Sequence, residues 1–405
     1  MREPAATALV SWECSPEARI SAYAEKGGFG EIAIDCIHQK AYFQHVLKIG
    51  ESLKDVEHLA AEALRELLAQ VPTIASIEVE LKAAQADRHV DILAHVTVAG
   101  RRHALVCEVK ANGQPRHVRM AVLQLRSYLA HYGADATSVF IAPYLSPEAQ
   151  ALCREQGVGF LDFEGNARLA FDGVFIERLV AAKPPTERRE LRSVFKPKSA
   201  QVLRVMLRDP RRAWRVADLG EVAGVSLGHI SNVRAALLDR EWAGVSPDGL
   251  FLTDPDALLD AWREAYQPPA GRRLAFYTTL HGGAFENAAR GVLGVTNQDG
   301  GAILASFSAA QWLAPYARIG SQFLYADAAG VEALRQALQL SAAAKGENVV
   351  ITCLEDLGPF RDTIEPAPGI ICTSLVQTYL DLAAAGERGR EAADHLRRER
   401  LIWPR

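Results

Sequence analysis

The sequence has no long hydrophobic run, no paired cysteines and no low-complexity tract. No apolar stretch among its 405 residues approaches the ~20 residues that a membrane-spanning helix needs. The N-terminus also lacks the basic region, apolar core and cleavage site of a secretory signal. We therefore expect a cytoplasmic protein without a membrane partner.

The six cysteines, at positions 14, 36, 107, 153, 353 and 372, form no C-x-x-C pair. This scatter argues against a zinc site and against a disulfide framework, and it indicates buried reduced thiols. The net charge of -4 conceals two basic stretches. Residues 101–126 carry six Arg or Lys against one acid, and residues 183–215 carry eleven against three. A polyanion would bind at these stretches, unless each is merely a solvated face.

The chain is long enough for two or three domains, and its pattern predicts a multidomain protein of α/β and α+β class. Over 51–182 an amphipathic helix precedes three strands, a helix, a strand, a helix and a strand, which predicts a mixed sheet covered by helices. Residues 183–198, rich in Pro and charge, indicate a linker. Three helices and a hairpin over 199–270 predict a winged helix-turn-helix, and 271–405 an α+β domain. Residues 1–50 receive no assignment.

The strongest functional pattern lies in a predicted hairpin. The apolar strands 90–93 and 104–110 are joined by a turn at Ala99-Gly100. Depending on where the hairpin pivots, Asp91 lies opposite Glu108, Val109 or Lys110. In every register two carboxylates and one ammonium group meet at one end, because residues 108 and 110 share a strand face.

Such a group suits metal-dependent hydrolysis of a phosphodiester, because hard cations such as Mg²⁺ or Mn²⁺ bind carboxylate oxygens and lower the pKa of water. We predict Asp91 and Glu108 as ligands together with the Val109 carbonyl, and Lys110 as the group that holds or activates the water. Helix geometry favours Glu57 as a further carboxylate.

Two parts of this prediction have alternatives. Glu66 is the second choice for the helix carboxylate. Glu108 and Lys110 could also form a surface ion pair on an edge strand, although the apolar neighbours Cys107 and Val109 favour a buried strand.

The following helix places Gln124 towards the same end of the sheet, and its basic residues, with those of the hairpin, would neutralise phosphates: Arg101, Arg102, Arg116, Arg119 and Arg126. A polar cluster at residues 159–166 admits two interpretations. Asp162 or Glu164 could reach the metal site, or the cluster could be a turn that uses Gly165-Asn166.

The combination of Asp91, Glu108-x-Lys110 and Gln124-x-x-x-Tyr128 resembles the restriction-endonuclease-like, PD-(D/E)xK nuclease superfamily over about residues 50–180. The resemblance implies that Asp91 and Glu108 bind metal, with Lys110 and Gln124 as the superfamily's lysine and helix glutamine. The chain departs from the pattern by having His89-Val90 in place of Pro before Asp91. Because many members bind nucleic acid without cutting it, the resemblance leaves cleavage open.

In a winged helix the N-terminal part of the third helix enters the major groove of double-stranded DNA. Asn232 could pair with adenine, and Arg234 with guanine or a phosphate. Three arginines before the second helix would contact the DNA backbone. The alternative is a module for protein docking or dimerisation. The predicted DNA-binding set is Ser226, His229, Ser231, Asn232, Arg234, Arg211, Arg212, Arg215, Arg116 and Arg119.

Three segments of the C-terminal region carry a further resemblance: Ser306–Tyr316, Gln377-x-Tyr379-Leu380-Asp381-Leu382, and Gly389–Ala393. They resemble AbiEi-type antitoxins of type IV toxin-antitoxin systems, which implies a transcriptional regulator that counteracts a nucleotidyltransferase toxin. Two hypotheses follow: a DNA-binding regulator with a nuclease-like domain, or an active Mg²⁺-dependent endonuclease targeted by its winged helix. The oligomeric state stays open, with a homodimer among the options.

Overall fold

The computed structural model describes residues 8–13, 19–22, 32–33, 53–85, 88–132, 135–180, 183–295, 301–316, 318–343 and 345–403. The chain divides into two compact units, residues 1–187 and 188–405. Within the described residues, no helix is both long and apolar enough to cross a bilayer.

The described residues of the first unit form β1 (Ala8–Glu13), β2 (Arg19–Ala22), β3 (Ile32–Ala33), α1 (Leu53–Ala69), β4 (Ile74–Gln85), β5 (Arg88–Val98), β6 (Arg101–Val109), α2 (Pro115–Tyr132), β7 (Ala136–Ala142), α3 (Pro147–Glu155), β8 (Gly159–Asp162), β9 (Ala167–Phe171) and β10 (Val174–Leu179). These ten described strands make one mixed sheet in the order β3-β2-β1-β10-β9-β8-β7-β6-β5-β4. β6, β7 and β8 run parallel, whereas β4, β5 and β6 form antiparallel hairpins.

The helices of this unit lie where the hydrophobic pattern predicts them. α1 buries Val56, Ala60, Leu64 and Leu67 at three- and four-residue spacing, and it ends before Pro72 because proline cannot continue the hydrogen-bonded turns. The Ser146 hydroxyl caps α3 by accepting a hydrogen bond from the Ala149 N–H at 3.2 Å.

Each face of the sheet has its own core. One cluster packs α1 against alternate residues of β5 and β6, including Ile92 and Cys107. The cluster on the opposite face packs α2 and α3 against the intervening residues, including Leu93 and Val106. A strand with apolar residues on both faces is central, so β6 is buried on both sides.

The second unit contains α5 (Pro197–Arg208), α6 (Val216–Ala223), α7 (Leu227–Asp239), β11 (Ala243–Ser246), β12 (Gly249–Leu252), α8 (Pro255–Ala265), β13 (Gly271–Tyr277), α9 (Gly283–Arg290), β14 (Gly294–Val295), β15 (Gly301–Leu304), α10 (Ser306–Leu313), β16 (Gln322–Ala326), α11 (Ala328–Ala337), β17 (Ser341–Ala342), β18 (Val349–Leu354), β19 (Thr363–Ala367), β20 (Ile370–Thr373), α12 (Leu375–Ala383) and α13 (Gly386–Arg400), preceded by α4 (Pro185–Val194). Its large sheet has the order β17-β13-β18-β16-β15-β20-β19, with β14 beside β15.

The predicted fold class is confirmed, but the domain boundaries differ from the prediction. The segment 183–198 is not a bare linker, because residues 185–194 form α4 and bury Leu191 and Val194 in the core of the second unit. That core continues from Leu203 and Ile230 of the helix-turn-helix into the C-terminal region. The segments predicted as separate domains, 199–270 and 271–405, therefore form one compact unit.

Candidate functional site

The turn of the β5–β6 hairpin decides which residues face each other. Ala99 (φ +47°) and Gly100 (φ +79°) both occupy the left-handed region, as a two-residue type I′ turn requires. The ladder then runs from Val98 opposite Arg101 to Ile92 opposite Cys107. One further step sets Asp91 opposite Glu108, which is the first of the three predicted registers.

The end of this hairpin is held by a side-chain contact to the backbone. The Val109 N–H donates a hydrogen bond of 2.8 Å to Asp91 Oδ2. Glu108 is 2% exposed and forms an ion pair with the half-buried Lys110. The interpretation of Glu108 and Lys110 as a surface pair on an edge strand is therefore wrong, because β6 lies between β5 and β7 and buries the carboxylate.

The carboxyl groups of Asp91, Glu108 and Glu57 repel one another at this end of the hairpin. Burial raises the pKa of Asp91, and the negative charge of Glu57 raises it further, while the Val109 hydrogen bond and Lys110 oppose the shift. Burial likewise raises the pKa of Glu108, with the charges of Asp91 and Glu57 adding to it. A positive ligand between these groups would remove the repulsion.

Glu57 is the third carboxylate in electrostatic range. It is 4% exposed, and Lys82 Nζ lies 3.0 Å from its Oε2. Glu66 is exposed on the other side of α1, so Glu57 is the better-placed of the two helix candidates. The ion pair between Lys82 and Glu57 was not predicted. Lys82 lies in β4 with φ of +53°, and no local sequence pattern indicates that backbone conformation or that partner.

The donor set fits a hard divalent cation. Glu108 Oε2 is buried and has no hydrogen-bond partner among the residues that the structure describes, so this carboxylate oxygen is available to coordinate a cation. Within the described residues no group of three or more His, Cys, Asp or Glu has metal-binding geometry. The structure therefore does not gather the predicted set of Asp91, Glu108 and Glu57 into one metal-binding group. A cation bound by Asp91 and Glu108 would keep several waters, as Mg²⁺ commonly does in proteins.

The structure does not join the predicted helix residues to this cluster by a direct contact. Gln124 is half-buried on α2 between the buried residues Ala121 and Leu125, and among the described residues it makes no hydrogen bond to Asp91 or Glu108. Arg116, Arg119 and Arg126 are exposed on the same helix, and Arg126 donates to Gln156 Oε1 at 2.8 Å.

A buried glutamine was missed by the sequence reasoning. Gln114, just before α2, is 5% exposed and donates to both carboxylate oxygens of Glu187 at 3.3 Å. Its partner lies 73 residues away along the chain. Such long-range pairing carries no local sequence signal.

Asp162 organises a turn, as the second interpretation of its segment proposed. Its carboxylate accepts hydrogen bonds from the backbone N–H of Leu145, Glu164 and Asn166 and from the Asn166 side chain, at 2.7 to 3.1 Å. Burial raises its pKa to about 6. With Gly165 at φ +102° completing the turn, the Asp162 oxygens are already occupied.

The helix-turn-helix forms as predicted, with α5, α6 and α7 followed by the β11–β12 hairpin. Gly224 ends α6 in the left-handed conformation, and the Ser226 hydroxyl caps α7 by accepting from the His229 N–H at 3.4 Å. Trp214 exchanges backbone hydrogen bonds of 2.8 and 2.9 Å with Leu250, which fastens the segment before α6 to the hairpin.

The predicted DNA-contacting residues fall into two groups. His229 is half-buried with Nε2 3.1 Å from Ser199 Oγ. Ser231 is exposed, and its Oγ donates to the Leu227 carbonyl of the same helix at 3.0 Å, so both side chains already have a partner within the protein. Asn232 is exposed and Arg234 is half-buried, and neither has a hydrogen-bond or ion-pair partner among the described residues.

The arginines before α6 are on the surface. Arg211, Arg212 and Arg215 are exposed, and the Arg212 guanidinium lies 3.7 Å from the centre of the Trp214 ring. This stacking holds one positive charge beside the start of α6.

The C-terminal motif contributes a buried polar network. Asp381 Oδ1 accepts hydrogen bonds from the hydroxyls of Tyr266 and Tyr325, at 2.5 and 2.8 Å, and from Gln377 Nε2 at 3.0 Å. Gln377 Oε1 accepts from Arg204 Nη1 at 2.9 Å, and burial raises the pKa of Asp381 to about 6. The motif thus ties α12 to α5, a role inside the fold.

Two family models match parts of this chain. Residues 251–402 match the family model described as a transcriptional regulator, AbiEi antitoxin, of a type IV toxin-antitoxin system. Residues 50–169 match a restriction endonuclease model, Mrr_cat. Each match covers less than half of the chain, and together they confirm both predicted resemblances. No curated protein matches the chain.

Three solved structures resemble about a third of the chain. A repair endonuclease from Pyrococcus abyssi has 15% identity and a TM-score of 0.22, over 38% of this chain and 64% of that one. EndoMS in apo form has 14% identity and a TM-score of 0.21, over 38% and 64%. The EndoMS-dsDNA2 complex has 17% identity and a TM-score of 0.20, over 38% and 65%. The chain thus spans less than two thirds of each structure, and similarity at these scores supports no inference about activity.

Proposed function

We propose that this protein is a DNA-binding regulator of the antitoxin type, whose winged helix binds double-stranded DNA. The observation that carries the proposal is the exposed, unpaired Asn232 on α7, beside Arg234 and downstream of the exposed arginines 211, 212 and 215. A carboxamide can pair with a base edge, while arginines neutralise phosphates. The match of residues 251–402 to an antitoxin regulator family supports the same role.

Binding to the DNA upstream of the protein's own gene tests this proposal. Asn232→Ala combined with Arg234→Ala is expected to lower affinity roughly tenfold or more, since one good base contact contributes about 1–3 kcal/mol. Arg215→Ala should weaken binding to all sequences and flatten the salt dependence. Arg390→Ala, an exposed arginine on α13, is the matched control. Unchanged affinity and salt slope in all variants would contradict the proposal.

The antitoxin resemblance further suggests a nucleotidyltransferase toxin as partner, and a homodimer would match a two-fold symmetric DNA site. Co-expression of the neighbouring open reading frames, followed by co-purification and light scattering, tests both. A chain that purifies alone and monomeric with its genomic neighbours present would count against them.

The buried, unpaired Glu108 Oε2 supports a second function, Mg²⁺-dependent DNA cleavage. Asp91 and Glu108 would hold the cation, which when bound stabilises charge on the scissile phosphate and acidifies a water molecule. Lys110, paired to Glu108, would orient that water, and Glu57 would be the nearest further acid. Gln124 and the α2 arginines would line the approach of the substrate.

Plasmid cleavage in Mg²⁺ or Mn²⁺ separates this function from simple DNA binding. Wild type should cut, while Asp91→Ala and Lys110→Ala should lose at least about a hundredfold in rate, the scale of a lost transition-state contact. Arg335→Ala, which removes an exposed ion pair with Glu332 on α11, is the control. Equal activity in all four proteins would identify a contaminating nuclease.

A further inference from the structure

We propose that the solvent-facing stripe of α7 reads A·T base pairs, with Leu227 contacting the methyl group of thymine and Asn232 pairing with adenine. This inference rests on the proposed DNA binding by the winged helix. It goes further by naming the base composition of the site and a specificity residue, Leu227, that was not among the predicted DNA contacts.

The stripe is defined by its exposure. Leu227, Gly228, Ser231, Asn232 and Ala235 are all exposed and follow one another at helical spacing. Ile230, Val233 and Leu237 are buried on the opposite side of α7, where they join the core of the unit. The stripe therefore is the surface that α7 can present to a groove.

Its chemistry matches one kind of base pair. Guanine is commonly read by Arg or Lys on its O6 and N7 acceptors, and cytosine by an acidic acceptor for its amino group. The stripe carries no charged residue. It offers instead an isobutyl group and a carboxamide, which suit the thymine methyl and the N6 and N7 atoms of adenine.

The neighbours of Leu227 leave it as the dominant apolar group. Leu227 is 56% exposed at the first turn of α7, where recognition helices approach base edges. Nothing lies within 4 Å of the position that a Cβ atom on Gly228 would occupy, so this part of the helix presents backbone and can approach closely. The Ser231 hydroxyl is bonded to the Leu227 carbonyl, so it competes little for a base.

Arg234 fits a different role. It lies at the margin of the stripe and is half-buried, so the protein covers part of its side chain. From there its guanidinium can reach a phosphate, which leaves the stripe without a reader for guanine.

The test begins with selection of binding sites from a random duplex library by the full-length protein. The selected site is then synthesised with each thymine in turn replaced by deoxyuridine, which removes only the C5 methyl group. Wild type should bind at least one substituted duplex about fourfold more weakly, the value of burying about one methyl group. Leu227→Ala should bind the thymine duplex and that deoxyuridine duplex equally. Ile402→Ala, which removes an even more exposed aliphatic side chain, should discriminate between them as wild type does.

The outcomes separate this inference from the function beneath it. Specific duplex binding with a G·C-only core site, or with no effect of deoxyuridine, would overturn the A·T inference and leave DNA binding intact. Continued methyl discrimination by Leu227→Ala would also overturn it, because another group would then make the contact. If the protein retained no duplex from the library, both the A·T inference and the proposed DNA binding would be contradicted.

Discussion

Substitution of Asp91 separates its structural contact from its charge. Asp91→Asn keeps an oxygen that can accept the 2.8 Å hydrogen bond from the Val109 N–H. Asp91→Ala removes that acceptor and leaves a partly buried donor unpaired, which costs about 1–3 kcal/mol. The first unit should therefore be less stable than wild type in Asp91→Ala. In Asp91→Asn its stability should be close to that of wild type.

The negative charge of Asp91, unlike its hydrogen bond, lowers the stability of the folded protein when no metal is bound. The pKa of Asp91 is raised in the folded state, first by burial, so the folded protein holds this proton more tightly than the unfolded chain. Stability is therefore lost as the pH rises through the raised pKa, and wild type carries that cost near neutral pH. Asp91→Asn lacks this cost, so it should be at least as stable as wild type in EDTA.

Added Mg²⁺ should reverse the order. At a free concentration about ten times its Kd, a ligand specific for the folded state contributes about 1.4 kcal/mol. For a unit of this size that corresponds to a rise in Tm of about 3 to 6 °C. Calorimetry of the full chain, with Ca²⁺ as a second oxygen-seeking cation, measures this rise independently of cleavage. An equal rise in wild type and Asp91→Asn, or none in wild type, would refute a metal site at Asp91 and Glu108.

Three further predictions concern duplex affinity and the stability of the two units. A Cβ on Gly249, at φ +137°, would lie 2.2 Å from the Trp214 carbonyl oxygen. Gly249→Ala should therefore displace the β11–β12 hairpin, the wing of the winged helix, and lower the duplex affinity measured by fluorescence anisotropy. Unchanged affinity would mean that this hairpin does not contribute to DNA binding. The pKa of Asp381 is raised to about 6, so the stability of the second unit should fall by up to roughly 3 kcal/mol as the pH rises from about 4 through 6. Asp381→Asn should flatten this dependence in urea titrations. A Cβ on Gly113 would lie 2.0 Å from the Tyr144 carbonyl oxygen, so Gly113→Ala should lower the Tm of the first unit; a Tm equal to wild type would show that the backbone yields freely.

The predictable parts of the site follow from local periodicity. Alternation along β6 placed Glu108 and Lys110 on one face, and the Ala99-Gly100 turn limited Asp91 to three partners. The helical pattern of α1 selected Glu57 over Glu66, and its burial beside the carboxyl pair agrees with that choice. These features depend only on the periodicity of side-chain directions along a strand or a helix, so they can be predicted from the sequence without knowing tertiary contacts.

Features that depend on distant residues could not be predicted. Lys82 pairs with Glu57, and His229 with Ser199, across 25 and 30 residues of chain. The Pro-rich segment 183–198 read as a linker because its few apolar residues have no local partner. Folding buries Leu191 and Val194 in the second unit, and that burial stabilises α4.

The sequence alone determined the helices and strands over residues 53–162, the hairpin that brings Asp91 and Glu108 together, and the order of helices in the winged helix. These depend on turn chemistry and on hydrophobic period, which are properties of neighbouring residues. Only the tertiary structure decided the hairpin register, the unpaired state of Glu108 Oε2, and the exposure of Leu227 and Asn232 on one stripe of α7. Burial and pairing depend on which elements pack together, and the packing partners lie far apart along the chain.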